Sequence, residues 1–170
     1  MKLVFPAIEH KEAALAYRKE HFERGERDIQ GDSGLDYTEN YNDWLVKIRE
    51  DLTREDEQMV PGTVYFGIVS GAIVGMISIR HKLNDNLLKI GGNIGYGVRP
   101  TQRGKGYASR MLTLALDECR ELGMKRVLIT CDKTNIASAK TILKNGGVLE
   151  NELTLNDGSV TQRYWIDLEG

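Results

Sequence analysis

The sequence predicts a mixed α/β fold, with helices on both faces of a sheet, in a single domain over residues 1–170. Strand-like runs alternate with runs in which apolar residues recur every three or four positions, as in helices. Ser70-Gly71 separates two β-rich runs, which is typical of a hairpin. Residues 127–131 are apolar throughout, as expected of a strand covered on both sides.

The first part of the chain predicts a short strand at residues 2–6 and a helix at residues 9–24. A polar loop follows at residues 25–37, whose Asp28, Asp32 and Asp36 either attract a cationic amine or lie in solvent, as loop composition favours. A second helix is indicated by helical spacing of apolar residues: Tyr41, Trp44, Leu45, Ile48 and Leu52.

The middle of the chain predicts a hairpin from residues 63–70 and 72–81, a connection at residues 82–90, and a further strand. That strand, residues 94–98, contains Gly95 and Gly97. Glycine inside a strand indicates either a bulge or the close approach of another backbone, and we expect a bulge here.

A glycine-rich turn at residues 103–106 leads into a long amphipathic helix that Gly123 ends. Its apolar face is formed by Ala108, Met111, Leu112, Ala115, Leu116, Cys119 and Leu122. Such a turn directs unpaired N–H groups and the positive end of the helix dipole at one point. It therefore predicts a phosphate or pyrophosphate site, to which Arg103 and Lys105 add positive charge.

Two common phosphate motifs fit this turn poorly. A Walker A loop needs glycine where Arg99 stands and serine or threonine where Gly106 stands. A dinucleotide fingerprint needs a third glycine, but Gly97 is soon followed by Pro100, in mid-chain. A nucleotide-binding domain is therefore the weakest interpretation.

The C-terminal part predicts a strand at residues 126–131, a helix opened by Asn135 and ended by Gly146-Gly147, and a last hairpin. Its strands are residues 148–155 and 160–168, joined across Asn156-Asp157-Gly158-Ser159.

Arg103, Gly106 and Ala108 resemble the acyl-CoA-binding motif of the GCN5-related N-acetyltransferases, the GNAT superfamily. The elements around the motif match that family in order over about residues 62–168. The resemblance implies a mostly antiparallel sheet of six to seven strands with a splayed parallel pair. The pantetheine arm of the cofactor would enter between the splayed strands.

The resemblance also implies that acetyl-CoA is bound. The residues expected to contact it are Val98, Arg103, Gly104, Lys105, Gly106, Tyr107, Ala108, Asn135, Ser138 and Lys140. The Val98 N–H would contact the acetyl carbonyl, Asn135 the pantetheine and Lys140 a phosphate.

The proton-transfer residues depart from the family pattern. Many relatives carry a glutamate base where this chain has Asn93, and a tyrosine acid where it has Ile142. The asparagine amide cannot take a proton from an ammonium group, and the isoleucine side chain has no proton to give. The catalytic residues therefore stay unknown, and the candidates, besides ordered water, are His81, Asn93, Tyr96 and Tyr164.

The resemblance implies direct transfer of an acetyl group from acetyl-CoA to a primary amine, on a small molecule or a protein N-terminus. A non-catalytic module that senses acyl-CoA is the alternative. A net charge of −2 argues against binding to nucleic acid. No apolar run reaches membrane-spanning length, so we expect no membrane association. Cys119 and Cys131 have no metal-site spacing, so we expect no metal, buried thiols and a cytoplasmic protein. Self-association into a homodimer through the last two strands stays an open alternative.

Overall fold

The computed structural model describes residues 1–170 and forms seven strands and five α-helices; the seven strands and four of the helices follow the predicted order, and α3 was not predicted. The elements are β1 (Lys2–Val4), α1 (Lys11–Glu23), α2 (Tyr41–Glu50), β2 (Gly62–Val69), β3 (Ala72–Arg80), α3 (Asp85–Lys89), β4 (Ile94–Val98), α4 (Tyr107–Glu121), β5 (Arg126–Asp132), α5 (Ile136–Lys144), β6 (Val148–Thr154) and β7 (Val160–Asp167). Short 3₁₀ turns at Ile8–His10 and Pro100–Gln102 precede α1 and follow β4.

The strands form two antiparallel sheets, ordered β1-β2-β3-β4 and β5-β7-β6. The predicted hairpin between β2 and β3 is confirmed. Its turn residues Ser70 and Gly71 have φ angles of 49° and 81°, and this left-handed backbone is what a tight two-residue hairpin turn requires.

The two sheets meet where β4 lies beside β5. Asn93, just before β4, donates its N–H to Leu128 O at 2.7 Å and accepts the Leu128 N–H on its side-chain oxygen at 2.8 Å. Further along, Tyr96 reaches Ser138, which follows β5, so both strands run in the same direction. No other backbone hydrogen bond joins β4 to β5, and the splayed parallel pair that the resemblance implies stays a prediction.

The expected bulge in β4 is wrong, because its pairing with β3 runs without interruption from Gly75–Val98 to Ile79–Ile94. Gly97 is instead explained by the loop between α1 and α2 (residues 24–40, the α1–α2 loop), whereas a β-carbon on Gly95 would make only ordinary contacts, the nearest at 3.5 Å. A β-carbon on Gly97 would lie 2.7 Å from Gln30 O, and one on Gly31 would lie 2.6 Å from Gly95 O. The glycines therefore allow two backbones to cross in direct contact.

Two apolar clusters place helices on opposite faces of the first sheet. One cluster packs α1 and α2, including Tyr17 and Trp44, against Phe66 and Met76. The other packs α4 and α5 against the opposite face and against the second sheet, and there Cys119 is buried. Both cysteines are free and buried, as predicted.

The helices differ from expectation mainly at α3, within the predicted connection at residues 82–90. The Asn84 side-chain oxygen accepts the Leu87 N–H at 2.9 Å, which caps the helix. The longest helix, α4, has the predicted apolar face, buried from Met111 to Cys119. None of the helices combines the length and apolarity needed to cross a bilayer.

Candidate active site

A cavity of about 590 Å³, which we call the cleft, lies between the end of β4, the glycine-rich turn and the start of α5. All the residues predicted to bind the cofactor line it except Lys105. The Lys105 ammonium instead donates to Gln102 Oε1 at 2.9 Å. The chain therefore gathers residues 98–108 and 135–140 around one opening.

The glycine-rich turn presents an unusual run of free donors. The backbone N–H groups from Gly104 to Ser109 have no acceptor in the protein, and the first paired N–H, that of Arg110, donates to Gly106 O. Gly104 and Gly106 have φ angles of 76° and 78°, and a β-carbon on either would meet no atom within 4 Å. Six consecutive donors at the N-terminus of α4 form a site for an anionic group.

The exposed edge of β4 supplies further donors. Arg99 N–H donates to Val74 O of β3 at 2.8 Å. Because alternate residues of an antiparallel strand direct their N–H groups to opposite sides, the N–H groups of Tyr96 and Val98 face the gap beside β5. An extended, amide-containing ligand could pair with this edge as an added strand does.

Arg103 does not offer a free charge to the cleft. Its guanidinium makes a two-pronged ion pair with Glu26, with both N–O distances 2.7 Å, and its Nε donates to Val98 O at 3.2 Å. The hydrogen bond from Arg103 is the main reason why the pKa of Glu26 falls to about 2. Arg103 therefore ties the glycine-rich turn to the α1–α2 loop and to β4.

His21 also lines the cleft, and the sequence reasoning missed it. The side chain is 2% exposed, its Nδ1 lies 2.7 Å from Glu26 Oε2, and its Nε2 has no hydrogen-bond partner. Burial lowers the pKa of His21, so the ring is neutral near pH 7. Ala14, Tyr17 and His21 share helical spacing on the buried face of α1, and this pattern could have identified it.

Among the four candidates for proton transfer, only Tyr96 lines the cleft. Its hydroxyl lies 2.9 Å from the Ser138 hydroxyl at the start of α5. Burial raises the pKa of Tyr96 to about 12, so the hydroxyl keeps its proton at neutral pH. Tyr96 can therefore donate a proton or a hydrogen bond but cannot act as a base there.

The other three candidates lie outside the cleft lining. His81 Nε2 lies 2.7 Å from Thr63 Oγ1, and burial lowers its pKa. The Tyr164 side chain is buried, and its hydroxyl donates to a neighbouring side chain on β7. Asn93 is 2% exposed, and both ends of its amide are hydrogen-bonded within the protein, to Leu128 N–H and to Arg80 O.

A second cavity of about 380 Å³ lies on the other side of the α1–α2 loop and shares Asp28, Ile29 and Gln30 with the cleft. Its other charged residues are Asp32, Asp36, Lys47, Asp51 and Arg80.

Asp32 shows that the α1–α2 loop is more than a solvated connection. It is 4% exposed, and its two oxygens accept the N–H groups of Gly34 at 2.9 Å and Asp36 at 2.6 Å. Burial raises the pKa of Asp32 to about 7. The expectation that this carboxylate lies in solvent is wrong, because it holds the loop in shape from inside.

Comparison with known families gives one match. The model of the acetyltransferase (GNAT) domain matches residues 9–148, most of the chain. Among curated proteins, none matches the sequence.

Solved structures of similar fold include the microcin C7 self-immunity acetyltransferase MccE in complex with acetyl-CoA and AMP, with 20% identity and a TM-score of 0.70 over 97% of this chain and 91% of that one. RimL, a ribosomal L7/L12 alpha-N-protein acetyltransferase in complex with CoA, shares 16% identity and a TM-score of 0.70, covering 97% and 92%. A variant of the spermidine N-acetyltransferase SpeG from Vibrio cholerae shares 14% identity and a TM-score of 0.65, covering 99% and 95%.

Proposed function

This chain belongs to the GNAT acetyltransferase domain family, and on that premise we propose that it transfers the acetyl group of acetyl-CoA directly to a primary amine. The observation that carries the proposal is the run of unpaired N–H groups from Gly104 to Ser109, in the cleft between the end of β4 and the start of α5. Both cysteines are buried and neither lines the cleft, which favours direct transfer over a cysteine-bound intermediate.

Two parts of the cofactor have complementary groups among the residues around the cleft. The N–H groups of residues 104–109 suit its pyrophosphate, and Lys140 and Lys144 add positive charge on the facing helix. The N–H groups of Tyr96 and Val98 suit the amides of its pantetheine arm. Acetyl-CoA supplies an activated thioester, whose carbonyl would end beside the last residues of β4.

The chemistry then needs little from side chains. The Val98 N–H is available to stabilise the oxyanion that forms as the amine attacks, and one such donor contributes about 3 kcal/mol in other enzymes. The Tyr96 hydroxyl, protonated at neutral pH, is available to the departing thiolate. Holding amine and thioester in contact provides most of the acceleration in this scheme.

The acceptor would approach through the second cavity, which adjoins the cleft. Among proteins of the same fold, RimL is a protein N-terminal acetyltransferase and SpeG acts on spermidine. A small amine and a protein N-terminus are therefore both reasonable acceptors.

The first experiment is a thermal unfolding series with acetyl-CoA, CoA, ATP and NAD. A ligand present at about a hundred times its dissociation constant stabilises by about 2.7 kcal/mol, which corresponds to roughly 5 to 10 °C for a domain of this size. We expect a shift with acetyl-CoA and CoA alone. A shift with only ATP or NAD would contradict the cofactor assignment.

A second experiment separates an enzyme from an acyl-CoA sensor. A panel of primary amines is mixed with acetyl-CoA and protein, and the release of free thiol is measured. We expect CoA release that depends on the amine and saturates with its concentration. Binding of acetyl-CoA without amine-dependent release would instead support the non-catalytic alternative.

A further inference from the structure

The α1–α2 loop contributes the only residues that line both cavities: Asp28, Ile29 and Gln30. If the cofactor lies in the cleft and the acceptor in the second cavity, the reacting amine must meet the thioester where these cavities adjoin. Of the three residues, Asp28 alone has an ionisable side chain. A protonated amine at this junction would lie beside the Asp28 carboxylate.

Each of the other carboxylates around the two cavities already has a partner in the protein, and none of them lines both cavities. Glu26 is held by Arg103 and His21, and Asp32 by two backbone N–H groups. Asp36 accepts the Ile29 N–H and Asp51 pairs with Lys47; the remaining oxygen of each is buried without a partner, but both residues line the second cavity only.

Asp28, in contrast, is exposed and accepts no hydrogen bond from the protein. The cation next to it in the sequence does not pair with it either, because the Arg27 guanidinium lies over the Phe22 ring at 4.6 Å from its centroid. Its charge is therefore available to a ligand.

We propose that Asp28 is the residue that binds the acceptor ammonium and takes its proton, a role that rests on the proposed acetyl transfer. The carboxylate removes one proton from R–NH₃⁺ and leaves the neutral amine R–NH₂. The amine nitrogen attacks the thioester carbon, so that a C–N bond forms and the C–S bond breaks. The second proton leaving nitrogen goes to the thiolate to give CoA–SH, and Asp28 returns its proton to water.

The test compares two amines of similar size and different basicity, ethylamine and 2,2,2-trifluoroethylamine, at pH 8. Ethylamine is almost entirely protonated there, whereas the fluorinated amine is largely neutral and needs no base before it attacks. For D28N we expect kcat/KM with ethylamine to fall by about a hundredfold, the low end of general-base effects. With trifluoroethylamine we expect a loss of less than about threefold, because that amine arrives deprotonated.

Two further variants separate a proton-transfer role from a structural one. D28E keeps the carboxylate and should restore most of the activity with ethylamine. Q30A removes another exposed side chain of the same junction and should change kcat/KM for both amines by the same factor. Thermal shifts with acetyl-CoA confirm for each variant that the protein is folded and the cleft is intact.

The outcomes fall into separate classes. An equal loss with both amines in D28N would overturn the role of Asp28 while leaving acetyl transfer in place. Failure of the wild-type protein to accelerate any amine, despite binding acetyl-CoA, would overturn the proposed transferase activity and with it the role of Asp28. A loss confined to ethylamine, with rescue by D28E, is the expected result.

Discussion

Replacing Gly106 by leucine tests whether the glycine-rich turn holds the pyrophosphate. Gly106 caps α4 at φ 78°, and a β-carbon there would point into open space. A leucine would place its side chain over the free N–H groups of residues 104–109. Loss of two charge-assisted hydrogen bonds, at about 1.5–3 kcal/mol each, would weaken acetyl-CoA binding by roughly two to four orders of magnitude.

Gly123, at the other end of α4, provides a matched control. Its φ is 75°, and a β-carbon there also meets nothing within 4 Å. The left-handed backbone should cost each leucine variant about 1–2 kcal/mol, or about 2–8 °C in unfolding temperature. Calorimetric titration should then show that only G106L loses affinity for acetyl-CoA. If G106L binds within threefold of G123L, the turn does not hold the pyrophosphate.

Three further changes test other parts of the structure. N93A leaves Leu128 N–H and Arg80 O without partners, so the free energy of unfolding in urea should fall by about 2–5 kcal/mol; a loss below about 1 kcal/mol would contradict the bridging role. Burial raises the pKa of Asp32 to about 7, from about 4 in an unfolded chain. As the pH rises, the unfolded state therefore loses this proton before the folded state does, and the free energy of unfolding should fall between about pH 4 and pH 7. In urea titrations at a series of pH values, D32N should flatten this part of the dependence of stability on pH. Y96F removes a proton donor from the cleft, and kcat should fall by less than about a hundredfold if position dominates catalysis; a larger loss would make Tyr96 the essential acid.

Local signals were enough to predict the turn and the helix that follows it. The run from Gly104 to Leu122 combines glycines that adopt a left-handed backbone with seven apolar residues at helical spacing, and both signals lie within one segment of chain. The Asn84 side chain caps α3, and this N-cap signal also lies within one short segment, but it was not used to predict the helix. Helices and turns whose signals lie within one short segment can therefore be predicted from the sequence alone.

Contacts between distant segments could not be predicted in this way. Gly95 and Gly97 indicated either a bulge or a close approach, and the choice depended on Gln30 and Gly31, more than sixty positions earlier. Arg103 appeared as a free charge because nothing local to it shows that Glu26 is its partner. Asn93 stood at the expected position of a base, yet its amide joins two sheets. In each case the deciding partner lies far away in the chain.

The α1–α2 loop joins these distant contacts into one arrangement. Glu26 attaches the loop to the glycine-rich turn through Arg103, and Gln30 and Gly31 lie directly on β4. Asp28 lies between these two attachments in sequence, so its backbone is held close both to the turn and to the edge of β4. A residue in an unattached loop would be poorly placed to meet an amine and a thioester together, because catalysis by position requires both within about 3–3.5 Å. In the proposed reaction, the α1–α2 loop would therefore make the two cavities parts of one site.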